Sequence, residues 1–227
     1  MESILSIAAA PEAGRATQQP LKAADIAGAL ASAARRMAGG FGAHAREQGM
    51  GAARDSAQDI AHDIDNALKA PVFEVLGVKL VVAPVQHPGA HAALANRARA
   101  LSGGRVIGMV TASGERRCED LIAAGKACGE GCDEVVIFEA DTHGRMPGEA
   151  AGLVAAGALA GMPKGRRVHC RAHADDALRH ALSLCRRGDL VAVACAASLA
   201  TVVHALRPLD SAAAYRVAVA ARPAPLG

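Results

Sequence analysis

The chain has 227 residues, of which 52% are hydrophobic and only 2% aromatic, and its formal net charge is +3. That apolar share is ample for a packed core of Ala, Val, Leu and Ile, and it excludes wholesale disorder. With no Trp and one Tyr there are almost no stacking platforms for single-stranded nucleic acid, and no stretch has more than two adjacent basic residues, which argues against a nucleic-acid-binding stripe.

In chain order, residues 1–20 are rich in Ala, Pro and Gln without a clear period and read as a loose segment. They lack the basic start and sustained apolar run of a signal peptide. No apolar segment reaches the roughly 20 residues that span a bilayer. A cytoplasmic chain with no membrane partner is therefore the expectation. Residues 21–70 read as a helical segment. Leu21, Ile26, Leu30 and Met37 recur near one stripe, and "GGFG" at 39–42 interrupts the pattern. The helix then resumes with Ile60, Ile64 and Leu68 at i, i+4 steps; Asp55 or Ser56 is placed to cap it, and Pro71 to close it. Its aspartates Asp59, Asp63 and Asp65 read as a solvated face.

From residue 71 to 227 the pattern changes to short apolar runs alternating with helical stretches. The runs are 72–85, 105–111, 134–140, 166–172 and 189–196; the helices between them are 88–101, 117–129, 147–160 and 174–187. Strands apolar on both faces, in this cadence, predict an α/β fold: a Rossmann-like, mostly parallel sheet covered by helices. A last run at 213–222 reads as an added edge strand. The six cysteines, in a chain without an export signal, read as reduced thiols. Cys128 and Cys132 have three residues between them and no second pair at zinc spacing, so buried small side chains are expected there and no metal.

In such a sheet, ligands bind outside the carboxyl ends of the strands. The first run delivers Gln86, His87 and His91 to that edge, the second Gly114, Glu115, Arg116 and Arg117, and the third Asp141, His143 and Arg145. Gly114 would let backbone amides approach a ligand, and the arginines offer forks suited to phosphate or carboxylate. The alternative for Arg116 and Arg117 is a pair of surface cations balanced by Glu115, Glu119 and Asp120; spacing alone leaves both open. His87 and His91, four apart, could offer two imidazoles to a metal, but with no third ligand in sequence, capping or solvent-facing histidines are the plainer reading. Ser198 is in no Gly-x-Ser-x-Gly turn. Neither a phosphate-binding Gly-x4-Gly-Lys-Ser/Thr loop nor a dinucleotide Gly-x-Gly-x-x-Gly follows any strand, which disfavours a nicotinamide or nucleotide-sugar enzyme.

Residues from about 72 to 206 resemble the C-terminal domain of cyanophycin synthetase and the related Mur peptide ligases. The resemblance rests on Gly114-Glu115-Arg116-Arg117-x-Glu119-Asp120, similar to the family's Gly-Asp-Arg-Arg-x-Glu-Asp, and on Gly144-Arg145-x-Pro147-Gly148-Glu149. It implies ATP-dependent amide-bond formation through an acyl phosphate that an amine attacks. It implies that Gly114, Glu115, Arg116 and Arg117 face nucleotide phosphate or ribose. His87, Asp141, His143 and Arg145 then face substrate, with Arg145 on a substrate carboxylate. The sequence departs from the family after the first strand, where Ala83-Pro84-Val85-Gln86-His87-Pro88 replaces Asp-Tyr-Ala-His-Asn-Pro. The family's ATP-holding domain is also lacking, so ATP and Mg are expected only with a partner chain that carries it. The competing expectation is a degenerate, non-catalytic module that binds a small anionic ligand or a partner. Self-association is open in either case.

Overall fold

The computed structural model describes residues 57–195 and 199–220. The loose segment at 1–20, the helical pattern of 21–37, the caps Asp55 and Ser56, and Ser198 lie outside the described residues. The described chain runs α1 (Ala57–Leu68), β1 (Val72–Val75), β2 (Val78–Pro84), α2 (Pro88–Leu101), β3 (Val106–Ser113), α3 (Cys118–Gly131), β4 (Glu134–Asp141), α4 (Glu149–Gly161), β5 (Arg167–Arg171), α5 (Ala174–Leu184), β6 (Leu190–Cys195), α6 (Ala200–Leu206) and α7 (Ser211–Ala220). The six strands form one sheet in the order β1-β2-β6-β3-β4-β5, parallel except for β1 against β2. The α/β architecture is the one the alternating pattern predicts.

The sheet is covered on both faces because its strands are apolar on both. Val81, Ala83, Val106, Val135, Ile137 and Ala192 point to one side, packed with α1, α2, α3 and α4. Leu80, Val82, Ile107, Met109, Val136 and Phe138 point to the other, packed with α5, α6 and α7. Each buried Val, Ile or Leu contributes about 1.5–3 kcal/mol, which lets a core almost without aromatics hold. The chain steps outward from β2 through β3 and β4 to β5 and returns through α5 to β6. Right-handed crossovers require the returning helix to lie on the opposite face, where α5 is found.

Two strand readings of the sequence need correction. The run at 72–85 is not one strand but a hairpin, β1 paired with β2 from Val75↔Val78 outward. Leu76 and Gly77 have φ of +50° and +80°, the left-handed pair that a tight two-residue hairpin turn demands. The run at 213–222 is not an edge strand. Residues 211–220 are helical, with Ala213, Ala214 and Val217 buried against the second face. The Asp210 carboxylate accepts the Ala213 amide at 2.8 Å, and Arg216 Nη2 donates to the Glu74 carbonyl, fastening α7 to β1. Alanine-rich sequence favours the helix, and spacing at i, i+4 outweighs a short alternation of valines.

The α1 pattern also resolves differently. Asp63 and Ala67 are its buried residues, whereas Ile60 and Leu68 are 38% and 49% exposed. Asp63 therefore does not belong to a solvated face.

Candidate functional site

The carboxyl edge of the sheet is assembled from three loops. After β3 the chain turns at Ser113, whose carbonyl accepts the Arg116 amide at 3.2 Å, and enters α3 behind Arg117. After β4, the Asp141 carboxylate accepts the His143 amide at 2.9 Å, and His143 and Gly144 lie at φ +44° and +81°. Arg145 follows, its amide on the Thr142 carbonyl, and Gly148 leads into α4. After β2, Gln86 and His87 lead into α2, with Pro88 in its first turn, where a missing N–H costs nothing.

These loops are joined by backbone. The Gly114 amide donates to the Asp141 carbonyl at 2.8 Å, and a Cβ on Gly114 would stand 1.9 Å from the Thr142 carbonyl oxygen. The glycine that sequence reasoning reserved for a ligand's approach thus admits the neighbouring loop. Arg145 completes the joint: Nε donates to the Gly114 carbonyl at 2.7 Å, Nη2 to the Arg116 carbonyl at 2.5 Å, and Nη1 to Glu149 Oε1 at 3.0 Å and Cys118 Sγ at 3.4 Å. Only 17% of its side chain is exposed. Burial works against its charge, but Cys118 and Glu149 outweigh that and raise its pKa. Expected to face a substrate carboxylate, Arg145 is occupied as a staple between two loops.

The other candidates are nearer solvent. Arg117 forks onto Asp120 at 2.8 and 2.9 Å, with Glu119 at 3.5 Å, which offsets a cation at a helix N-terminus. Arg116 is half-buried, and its Nη2 donates to Gln86 Oε1, which ties the second loop to the first. His143 Nε2 lies 3.7 Å from Asp141 Oδ2 and 3.9 Å from Glu115 Oε2, all three exposed. His87 starts α2 without a cap of its own. All eight candidates therefore lie on the three loops of one edge.

Under Arg116 is a recess of about 20 Å³, room for one water, lined among others by Gln86, His91, Thr111, Ser113 and Asp120. Thr111 Oγ1 is buried and lacks a hydrogen-bond partner among the described residues. His91 is 5% exposed, and burial, then Arg116 and His87, push its pKa down to about 4. It is held neutral, with Nδ1 at 3.4 Å from Cys128 Sγ. Burial raises the Cys128 thiol, and raises Cys132 to about 12; both behave as apolar filling.

Two carboxylates that shape the edge escaped the sequence reading as functional residues. Asp63 accepts the Gln86 and His87 amides, each at 2.8 Å, and so ties the loop that enters α2 to α1. Glu139 accepts the Gly148 and Ala150 amides at 2.8 and 3.1 Å and caps α4. The period of α1 carried a signal for the first, since Asp63 and Ala67 sit four apart and are its two buried residues. The second had none beyond a carboxylate near a strand end.

Comparison with known proteins gives one family: the one described as Mur ligase, glutamate ligase domain, matches residues 71–197. None of the curated protein sequences matches significantly. Among solved structures, a UDP-N-acetylmuramoyl-L-alanyl-D-glutamate–2,6-diaminopimelate ligase is similar, with a TM-score of 0.48 and 17% identity over 55% of this chain and 25% of that one. A MurF ligase from Thermotoga maritima, in complex with ADP, has a TM-score of 0.44 and 16% identity over 65% and 31%. A murein peptide ligase from Psychrobacter arcticus 273-4 has a TM-score of 0.45 and 14% identity over 68% and 29%. The chain thus spans a quarter to a third of the length of these three enzymes.

Proposed function

The chain belongs to the Mur ligase, glutamate ligase domain family, and from that membership we propose that it is the closing module of an ATP-dependent acid–amino-acid ligase. In this reading, of cyanophycin synthetase or Mur type, a partner chain contributes the ATP-holding domain. The observation that carries it is the carboxyl edge: three loops tied into one polar rim over a recess of about 20 Å³. A site that encloses a small ligand by itself needs roughly 300–1,000 Å³. A rim this shallow holds one only when a second surface closes over it, as a module of a larger ligase would require.

Within that reading Arg116, with Gly114, Glu115 and Arg117 beside it, faces nucleotide phosphate, where a guanidinium stabilises charge on a transferring phosphoryl group. His87, Asp141 and His143 face the incoming amine substrate. Arg145 acts by position, holding the Arg116 loop against the Asp141 loop. The described residues do not make a triphosphate cradle. ATP and Mg therefore belong to the partner domain, and the isolated chain is expected not to turn over ATP.

A second reading, a non-catalytic binding module, draws support from these two carboxylates. Asp63 occupies the two amides just before α2, and Glu139 those at the start of α4, donors that would otherwise be open to an anion. Calorimetry separates the two readings. The ligase module is expected to bind ADP with a dissociation constant of about 1 mM, about tenfold more weakly in Arg116→Ala, and to bind an acidic or basic amino acid beside it. ADP binding with no amino acid accepted would favour the second reading. Affinity unchanged in Arg116→Ala would remove the rim from either.

A further inference from the structure

The opposite, amino-terminal edge of the sheet carries its own concentration of charge, unrelated to the rim. Residues just before or at the start of β3, β4, β5 and β6 border an open depression of about 440 Å³. Its charged lining is Arg105, Arg166, Arg167 and Arg186 against Asp133 and Glu134. Both carboxylates are already engaged. Asp133 pairs with Arg99 at 2.7 Å and Arg166 at 3.0 Å, and Glu134 with Arg105 and His169, each at 2.9 Å. Two of the arginines are spent as well. Arg105 also forks onto Asp189 and reaches the Leu184 carbonyl, and Arg166 donates to the Cys132 carbonyl.

Arg167 and Arg186 differ. Both are exposed, and neither guanidinium meets a carboxylate or carbonyl among the described residues. The turn beside them passes through Gly165, with open space where a side chain would stand. The depression thus has walls fixed by ion pairs, a positive excess, two uncommitted forks and a volume within the range of small-molecule sites.

We propose that this depression is a second anion site, which takes a small phosphate-bearing molecule between Arg167 and Arg186. A phosphate group offers a fork more than one acceptor and carries more charge than a single carboxylate, so two guanidiniums lining one depression suit it. The eight residues of β3 separate the two edges by about 25 Å at 3.3 Å per residue. Occupancy here does not depend on the rim, nor on the ligase reading.

The test is calorimetric titration of the full chain with inorganic pyrophosphate at low salt. Arg167→Ala and Arg186→Ala are each expected to weaken binding about tenfold without altering the melting temperature, because neither side chain has a structural partner. Arg179→Ala, which removes an equal charge from α5, is expected to leave affinity unchanged. Raising the salt to 0.5 M should weaken binding strongly, since the site is open to solvent. Equal losses in all three variants, or no heat of binding, would overturn the assignment. A short oligonucleotide that binds about tenfold more tightly than pyrophosphate would overturn its restriction to a small ligand.

Discussion

The two edges of the sheet solve the same problem with different chemistry. At the amino edge Arg105 is held chiefly by carboxylates, Asp189 and Glu134, and draws the starts of β3, β4 and β6 together. At the carboxyl edge Arg145 is held chiefly by backbone carbonyls, with Glu149 as its one carboxylate, and draws two loops together. In each case one guanidinium is committed to the fold while neighbours stand nearer solvent: Arg116 at one edge, Arg167 and Arg186 at the other. An arginine in a motif is therefore not by itself a ligand contact. At the amino edge, what separates staple from site is how many of its donors the chain has already used.

The largest effect should come from Gly114, where the carboxyl edge depends on backbone contact. Gly114→Val must displace the Thr142 carbonyl and is expected to cost about 4 kcal/mol, read as a collapse of the urea midpoint. Tolerance of valine would mean that the two loops are not in contact.

Acid should separate the edges next. His91, at the carboxyl edge, has a folded pKa lowered from 6.5 to about 4. The unfolded chain then binds the extra proton first, so stability falls as pH drops from 6.5 to about 4, by up to about 3 kcal/mol. His180, similarly lowered but less deeply buried, adds to the same window. Asp133 and Asp189, at the amino edge, titrate later. Burial raises both, but for Asp133 the Val106 amide, Arg99 and Arg166 outweigh it, and for Asp189 the Arg186 and Arg105 amides and the Arg105 guanidinium do, leaving both below the usual carboxylate value. Their stabilisation is present above the unfolded value and is lost as pH falls through the folded one. Denaturant midpoints measured from pH 7 to pH 2 should show two descents, and His91→Leu should shrink the upper one to the part that His180 contributes. An unchanged upper descent in that variant would contradict a buried neutral imidazole.

Arg105→Ala strands a carboxylate, Asp189, that is 5% exposed, and is expected to cost about 2 kcal/mol after allowance for the arginine's own 34% exposure. Arg145→Ala should cost somewhat less, since the freed carbonyls gain access to water, and Arg145→Lys should not restore it because the fork is lost. The smallest change should be Arg117→Ala, about 0.5 kcal/mol or less, since its pairs with Asp120 and Glu119 are exposed. Thermal melts of the four variants side by side check the order.

The sheet was legible in the sequence because its strands are apolar on both faces and separated by helical stretches of crossover length. The hairpin was not, because Val72–Pro84 is apolar nearly throughout and only Gly77 marks the turn. The final helix was misread because Val217 and Val219 fit alternation as well as a helix in so short a run. The carboxyl edge was legible in outline, since strand ends can be counted. The partners of its side chains were not: Asp63 reaches amides 23 and 24 residues away, and Arg145 reaches carbonyls 29 and 31 residues away. No local pattern encodes such contacts, so a buried aspartate and a solvated one look alike in sequence.

Amide chemical-shift mapping of the full chain during titration with ADP tests the division between staple and site most directly, because both edges report in one spectrum. The account predicts two separate responding patches, residues 113–117 with 141–145 at one edge and 165–167 with 186 at the other. Arg116→Ala should move the first to about tenfold higher ADP and leave the second intact. Shifts at the carboxyl edge with an unchanged midpoint in Arg116→Ala, or that never arise at saturating ADP, would contradict it.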